Sequence, residues 1–131
     1  MPRLPDHYAN LLGQKIKEHG TQVYLVNTGW SGGAYGTGER MKLKYTRAMI
    51  TAALEGKLDG VQYETHDIFG LQMPTTCAEV PAELLNPRNT WADKKAYDEM
   101  LKKLSGMFVE AFKPFTDTPA GKELVRHGPQ L

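Results

Sequence analysis

A chain of 131 residues has material for one domain at most. Hydrophobic residues make up 40% and charged residues 24%, near the averages of globular proteins, which points to neither a disordered tail nor a membrane protein. Lys and Arg number 16 against 15 Asp and Glu, so the formal net charge of +1 sustains no broad field for nucleic acid or an acidic membrane, and any anion site must be local.

The segment Met1 to Pro5 carries one arginine and no following apolar run, so no export signal is expected. Asp6 is positioned to cap a helix whose apolar face is Tyr8, Leu11, Leu12 and Ile16, with Gly20 as its stop. Val23-Tyr24-Leu25-Val26 is short, continuous and β-prone, which predicts a strand covered on both faces. From Thr28 to Gly38 the glycines are so dense that no regular element is expected. Tyr45 to Leu54, rich in Ala, Met, Ile and Leu and ending before Gly56, predicts a largely buried helix.

Val61, Tyr63 and Thr65 alternate with polar neighbours, as do Phe69, Leu71 and Met73, which predicts two short strands or one bent one. Prolines at 74, 81 and 87 mark the stretch to Asn89 as a surface loop with one short helical turn, packing through Val80, Leu84 and Leu85. Asp93 caps the strongest helix, in which Tyr97, Leu101, Leu104, Phe108, Ala111 and Phe112 keep a three-four spacing up to Pro114. Thr118 as cap, Pro119 at the first position and Gly128 as the stop define a short terminal helix.

The glycine-rich loop follows the expected strand, a place where open α/β sheets bind ligands. Gly33 and Gly38 have the outer spacing of a Walker A loop, yet Glu39 and Arg40 stand where Lys and a hydroxyl residue are required, so it is not a P-loop. Arg40 offers a planar guanidinium for a base or a phosphate, Met41 a soft surface for a ring, and Thr46 one directional hydrogen bond. Spacing leaves the plainer alternatives open: a solvated charge, a core methionine and a threonine near a helix start. The four histidines, His7, His19, His66 and His127, are scattered without metal-ligand spacing and read as surface residues. Cys77 stands alone, so no internal disulfide or multi-cysteine zinc site is possible, and a reducing cytoplasm is expected. Lys94, Lys95, Lys102 and Lys103 read as the solvated side of the long helix.

Taken together, Val23 to Gly33, Gly38-Glu39-Arg40-Met41 and Leu43-Lys44-Tyr45-Thr46-Arg47-Ala48 resemble the C-terminal region of ATP-dependent phosphoenolpyruvate carboxykinases. The resemblance continues through Leu85 to Asp93, Phe108-Val109-Glu110 and Thr118 to Gly121. It implies an α/β fold in which residues 1–131 form the C-terminal part of an ATP-binding domain, with short strands, flanking helices and a C-terminal helical segment. It further implies a lyase that converts oxaloacetate and ATP to phosphoenolpyruvate, carbon dioxide and ADP in gluconeogenesis, working as a cytoplasmic monomer without nucleic acid or membrane. The positions carried over as ATP contacts, mainly around the nucleoside, are Arg40, Met41 and Thr46. No catalytic residue and no ligand for Mg²⁺ or Mn²⁺ carries over, since the family's phosphate loop, metal ligands and substrate arginines precede this region, and the segment by itself is expected to be inactive. Glu39 departs from the lysine of many relatives, and Leu4 from a frequent histidine. A non-catalytic adenine-nucleotide module and an inactive truncated remnant are the alternatives.

Overall fold

The computed structural model describes residues 3–131. Met1 and Pro2, which head the segment expected to carry no export signal, lie outside the described residues. Helix α1 (Pro5–His19) leads to a hairpin of β1 (Trp30–Ser31) and β2 (Glu39–Arg40), then to α2 (Leu43–Leu54). A second hairpin, β3 (Tyr63–Thr65) with β4 (Gln72–Pro74), is followed by the one-turn α3 (Pro87–Thr90), the long α4 (Lys94–Phe112) and α5 (Pro119–Leu124). The result is a mixed helix and sheet fold with two separate two-stranded antiparallel sheets.

Local chemistry accounts for most boundaries. The Asp93 carboxylate accepts from the Lys95 and Ala96 N–H groups, and the Thr118 hydroxyl accepts from the Gly121 N–H, so both expected caps form. Leu4, rather than Asp6, occupies the N-cap position of α1, and no side chain caps the helix. Pro5 takes the first helical position, where no N–H is needed, and the Asp6 carboxylate falls in the first turn, on the favourable side of the helix dipole. Gly20 ends α1 in the left-handed conformation at φ 60°, with its N–H bonded to the Ile16 carbonyl.

Three further expectations are corrected. Val23 to Val26 forms no strand: residues 21–28 have no ladder partner among the described residues, and Leu25 is 80% exposed. Propensity favours extended backbone, but a strand exists only by hydrogen bonding to a neighbour. The glycine-rich stretch does carry regular structure, because Trp30 pairs with Arg40 and Ser31 with Glu39 across it. Helix α2 is not largely buried; Ala52 alone is buried and Leu54 is 82% exposed.

The alternating segments pair with each other, Tyr63 with Pro74, Glu64 with Met73 and Thr65 with Gln72. The core is small: Ala52, Leu58, Cys77 and Val80, with Tyr45, Ala48, Met49, Leu84 and Leu85 against it. The loop after Pro74 packs through Val80, Leu84 and Leu85 as expected, and it holds two helical turns rather than one, a 3-10 turn at Ala82–Leu84 and then α3. On α4 the apolar stripe is only partly covered; Tyr97 is buried, whereas Phe108 is 53% exposed although its ring meets Phe69 edge-on at 5.5 Å. The total accessible surface is 10025 Å². A compact monomer of this mass exposes about 6,900 Å².

Asp93 offers a direct check on the cap that starts α4. Asp93→Ala is expected to destabilise the protein by about 1 kcal/mol, read as a lower urea midpoint at unchanged slope. Asp93→Asn should keep most of the loss from appearing; equal losses in the two variants would contradict the capping role.

Candidate functional site

The first hairpin and the start of α2 carry all three predicted ligand contacts. Arg40 ends β2 opposite Trp30, is exposed, and has no ion pair or side-chain hydrogen bond among the described residues. Its guanidinium is therefore free to receive an anion or a ring. Met41 follows directly, half-buried, with its N–H donating to the Gly29 carbonyl at 3.0 Å, which locks the base of the hairpin. Thr46 closes the first turn of α2, half-buried, its N–H 3.4 Å from the Lys42 carbonyl. Its hydroxyl has no partner among the described residues. Only the short link of Met41 and Lys42 separates β2 from α2, so the structure brings the three positions into one connection.

An apolar cavity of about 660 Å³ opens beside this connection. Met41 alone of the three lines it, together with the uncovered Val23 to Asn27 segment, Met49, Leu71 and Trp91. Such a wall of apolar side chains suits packing or an aromatic ring and offers no charge to a phosphate.

The glycine-rich turn is held from the far side by α3. The Gly32 N–H donates to Thr90 Oγ1 at 3.0 Å, and Thr90 Oγ1 donates to the Pro87 carbonyl at 2.7 Å. Gly32 sits at φ 79°, and a Cβ there would stand 3.0 Å from the Thr90 carbonyl oxygen, so glycine is required for both conformation and approach. Farther along, a Cβ on Gly38 would overlap the carbonyl oxygens of Gly33 and Ser31.

Sequence reasoning missed the supports of α3. Lys94 is not part of a solvated face; its Nζ donates to the carbonyls of Arg88 (3.0 Å), Asn89 (3.0 Å) and Trp91 (2.7 Å). The signal was available in a basic residue placed just after a one-turn helix, whose last carbonyls lack partners. Arg88 forks onto Asp98 of α4 through Nε to Oδ1 at 2.8 Å and Nη2 to Oδ2 at 2.9 Å. These bonds, more than charge alone, hold the Asp98 carboxyl below the usual carboxylate range and raise the Arg88 guanidinium. His66 is likewise no plain surface residue, since its Nδ1 accepts from the Ile68 and Phe69 N–H groups, each at 3.3 Å. Cys77 is buried, and burial pushes its thiol up, away from the reactive thiolate.

Comparison with known proteins gives this arrangement its setting. A family model described as phosphoenolpyruvate carboxykinase matches residues 1–83, more than half of the chain. The chain belongs to the phosphoenolpyruvate carboxykinase family. It is 54% identical over 129 residues to phosphoenolpyruvate carboxykinase (ATP) 2 of Moorella thermoacetica, covering 98% of this chain and 24% of that protein. It is 55% identical over 129 residues to phosphoenolpyruvate carboxykinase (ATP) of Christiangramia forsetii, again 98% of this chain and 24% of the relative. The Campylobacter lari phosphoenolpyruvate carboxykinase (ATP) is 51% identical over 131 residues, 100% of this chain and 25% of its own length. The chain thus spans about a quarter of the length of the carboxykinases it matches. These matches favour a carboxykinase segment over a free-standing nucleotide module or a remnant.

Among the described residues no three His, Cys, Asp or Glu side chains converge to hold a metal ion. No helix among the described residues is long and apolar enough to cross a membrane.

The Arg88–Asp98 pair makes stability depend on pH. Because the folded carboxyl titrates below its unfolded value of about 3.9, its contribution is present above that pH and is lost as pH falls through the folded value. Asp98→Asn is expected to lower the urea midpoint at pH 7 and to flatten its fall as the pH drops below the unfolded carboxyl value. Parallel midpoint curves for the variant and the parent would show that the pair is energetically silent.

Proposed function

We propose that this chain is the C-terminal part of the ATP-binding domain of an ATP-dependent phosphoenolpyruvate carboxykinase, and that it forms the nucleoside side of the site. The observation that carries the reading is the passage from β2 into α2, which carries Arg40, Met41 and Thr46 within seven residues, with Arg40 exposed and free of internal partners among the described residues. In this reading Arg40 holds the nucleotide by its fork or by stacking, Met41 packs on a ring, and Thr46 gives one directional hydrogen bond. The whole enzyme decarboxylates oxaloacetate and passes the γ-phosphoryl group of ATP to the resulting enolate, yielding phosphoenolpyruvate, carbon dioxide and ADP. Mg²⁺ or Mn²⁺ neutralises phosphate charge when bound, and its ligands, with the phosphate loop and the oxaloacetate-binding groups, belong to the rest of that enzyme. The segment alone does not turn over, because phosphoryl transfer depends on that charge neutralisation. The enzyme works in the cytoplasm as a monomer.

The surface supports a partial domain. An excess of about 3,000 Å² over a compact monomer is the scale of a large, permanent interface. Val23 to Val26 lies along this surface, β-prone and without a ladder partner among the described residues. The occupant we assign to it is sheet from the remainder of the same carboxykinase polypeptide.

The reading is tested on the native gene product. Its mass is expected to exceed 14.6 kDa several-fold, with a Gly-x-x-x-x-Gly-Lys-Thr loop in the added sequence. In that product Arg40→Ala should raise the KM for ATP about tenfold or more and leave the KM for oxaloacetate near the parent value. A native product of 14.6 kDa would overturn the catalytic reading.

A further inference from the structure

We infer that Thr90 is a positioning residue for the nucleotide contact at Arg40, acting through the glycine-rich turn, with Lys94 as the anchor that holds Thr90 in place. The inference rests on the nucleoside-site reading above and adds two residues outside the segment that bears the contacts.

The connection runs through atoms. Thr90 Oγ1 receives the Gly32 N–H at 3.0 Å, a part-buried bond between residues far apart in sequence. Ser31, the neighbour of Gly32, pairs with Glu39, and Trp30 pairs with Arg40. A shift of Gly32 therefore moves the strand whose register sets the Arg40 backbone. The turn has little slack, because it approaches α3 at Gly32 and closes tightly on itself at Gly38.

The hydroxyl has a double role that an isosteric methyl cannot take over. It accepts from Gly32 and donates to the Pro87 carbonyl at 2.7 Å, so its proton direction is fixed and its lone pair is aimed at the turn. On the other side of α3, Lys94 gathers three carbonyls of residues 88–91 and ties the turn to α4. Lys94 is half-buried, and its charge-assisted bonds run to fixed backbone atoms, which makes the tether stiffer than a surface ion pair. Thr90 links this rigid base to the hairpin, in the way that supporting residues hold a contact within a fraction of an ångström of its productive geometry.

The test is steady-state kinetics of the full-length carboxykinase carrying this segment, with Thr90→Val, Thr90→Ser, Lys94→Met and Arg40→Ala. Thr90→Val is expected to raise the KM for ATP about three- to tenfold, the effect of one lost neutral hydrogen bond. The KM for oxaloacetate and kcat at saturating ATP should stay near the parent values, and Thr90→Ser should restore the KM for ATP. Lys94→Met should shift the KM for ATP in the same direction. A parent KM for ATP in Thr90→Val, while Arg40→Ala raises it, overturns the positioning role alone. A parent KM in Arg40→Ala overturns the nucleoside-site reading beneath it. Equal damage from Val and Ser, or a parallel rise in the KM for oxaloacetate, shows general loss of folding and also overturns the inference.

Discussion

Lys94 sets one ammonium against three carbonyl oxygens at the end of a helix only four residues long. A single turn is too short to sustain itself, because nucleation cost is not recovered by further hydrogen bonds. Its last carbonyls would also be left without partners. Lys94 addresses both problems, and the charge is favourable at the negative end of the turn. Asn86 caps the opposite end through its side chain, and Arg88 reaches across to Asp98. With α3 fixed from both ends and from the side, Thr90 becomes a stationary point against which the glycine-rich turn can rest. The hairpin, and with it Arg40, inherits its place from that contact.

The rest of the molecule is less self-sufficient. Four buried residues, Ala52, Leu58, Cys77 and Val80, make the core, while the apolar faces of α1, α2 and α4 remain largely open. Helix α1 buries none of its residues, although its three-four spacing of Tyr8, Leu11, Leu12 and Ile16 is amphipathic. An amphipathic helix gains most of its stability from the surface it covers. Open stripes on three helices and an unpaired β-prone segment are what a domain divided through its core exposes. In the proposed reading the rest of the carboxykinase, of which this chain spans about a quarter, covers those faces.

Legibility followed the range of the interactions. The caps at Asp93 and Thr118, the stop at Gly20, the extent of α4 and the presence of two short strands in the alternating segments are local, and the residues that cause them lie within a few positions of the effect; the pairing of those strands with each other came only from the structure. The Val23 to Val26 strand failed because its existence depends on a neighbour that no local pattern supplies. The burial of α2 failed for the same reason: its apolar composition describes a surface seeking a partner, and the small core covers only part of it. The glycine-rich turn was misread in the opposite direction. Its density of glycine permits disorder, yet the pairs Trp30 with Arg40 and Ser31 with Glu39 close it into a hairpin. At the site, Arg40, Met41 and Thr46 were named from family resemblance, whereas Thr90 was invisible because its Gly32 partner lies 58 residues away, and Lys94, whose partners are three to six residues off, was legible only once α3 was known to end just before it.

Charge distribution explains how a nearly neutral chain serves a polyanionic nucleotide in the proposed reading. The net charge is +1, yet Arg40, Lys42, Lys44 and Arg47 are all exposed within eight residues, with Glu39 the one acid beside them. Exposed charges of this kind are screened beyond about 8–10 Å at physiological salt, so they bias the approach of an anion without gripping it. Lys44 is partly committed already, its Nζ lying 4.8 Å from the centre of the Tyr45 ring. The strong contact must come from geometry, from a guanidinium held by the hairpin register and a hydroxyl held by the first turns of α2. A site of this design recognises the nucleoside by shape and direction and leaves the bulk of phosphate neutralisation to groups elsewhere in the enzyme. Rigidity of the hairpin then matters more than its charge, which is why the hydroxyl of Thr90 ranks beside the guanidinium of Arg40.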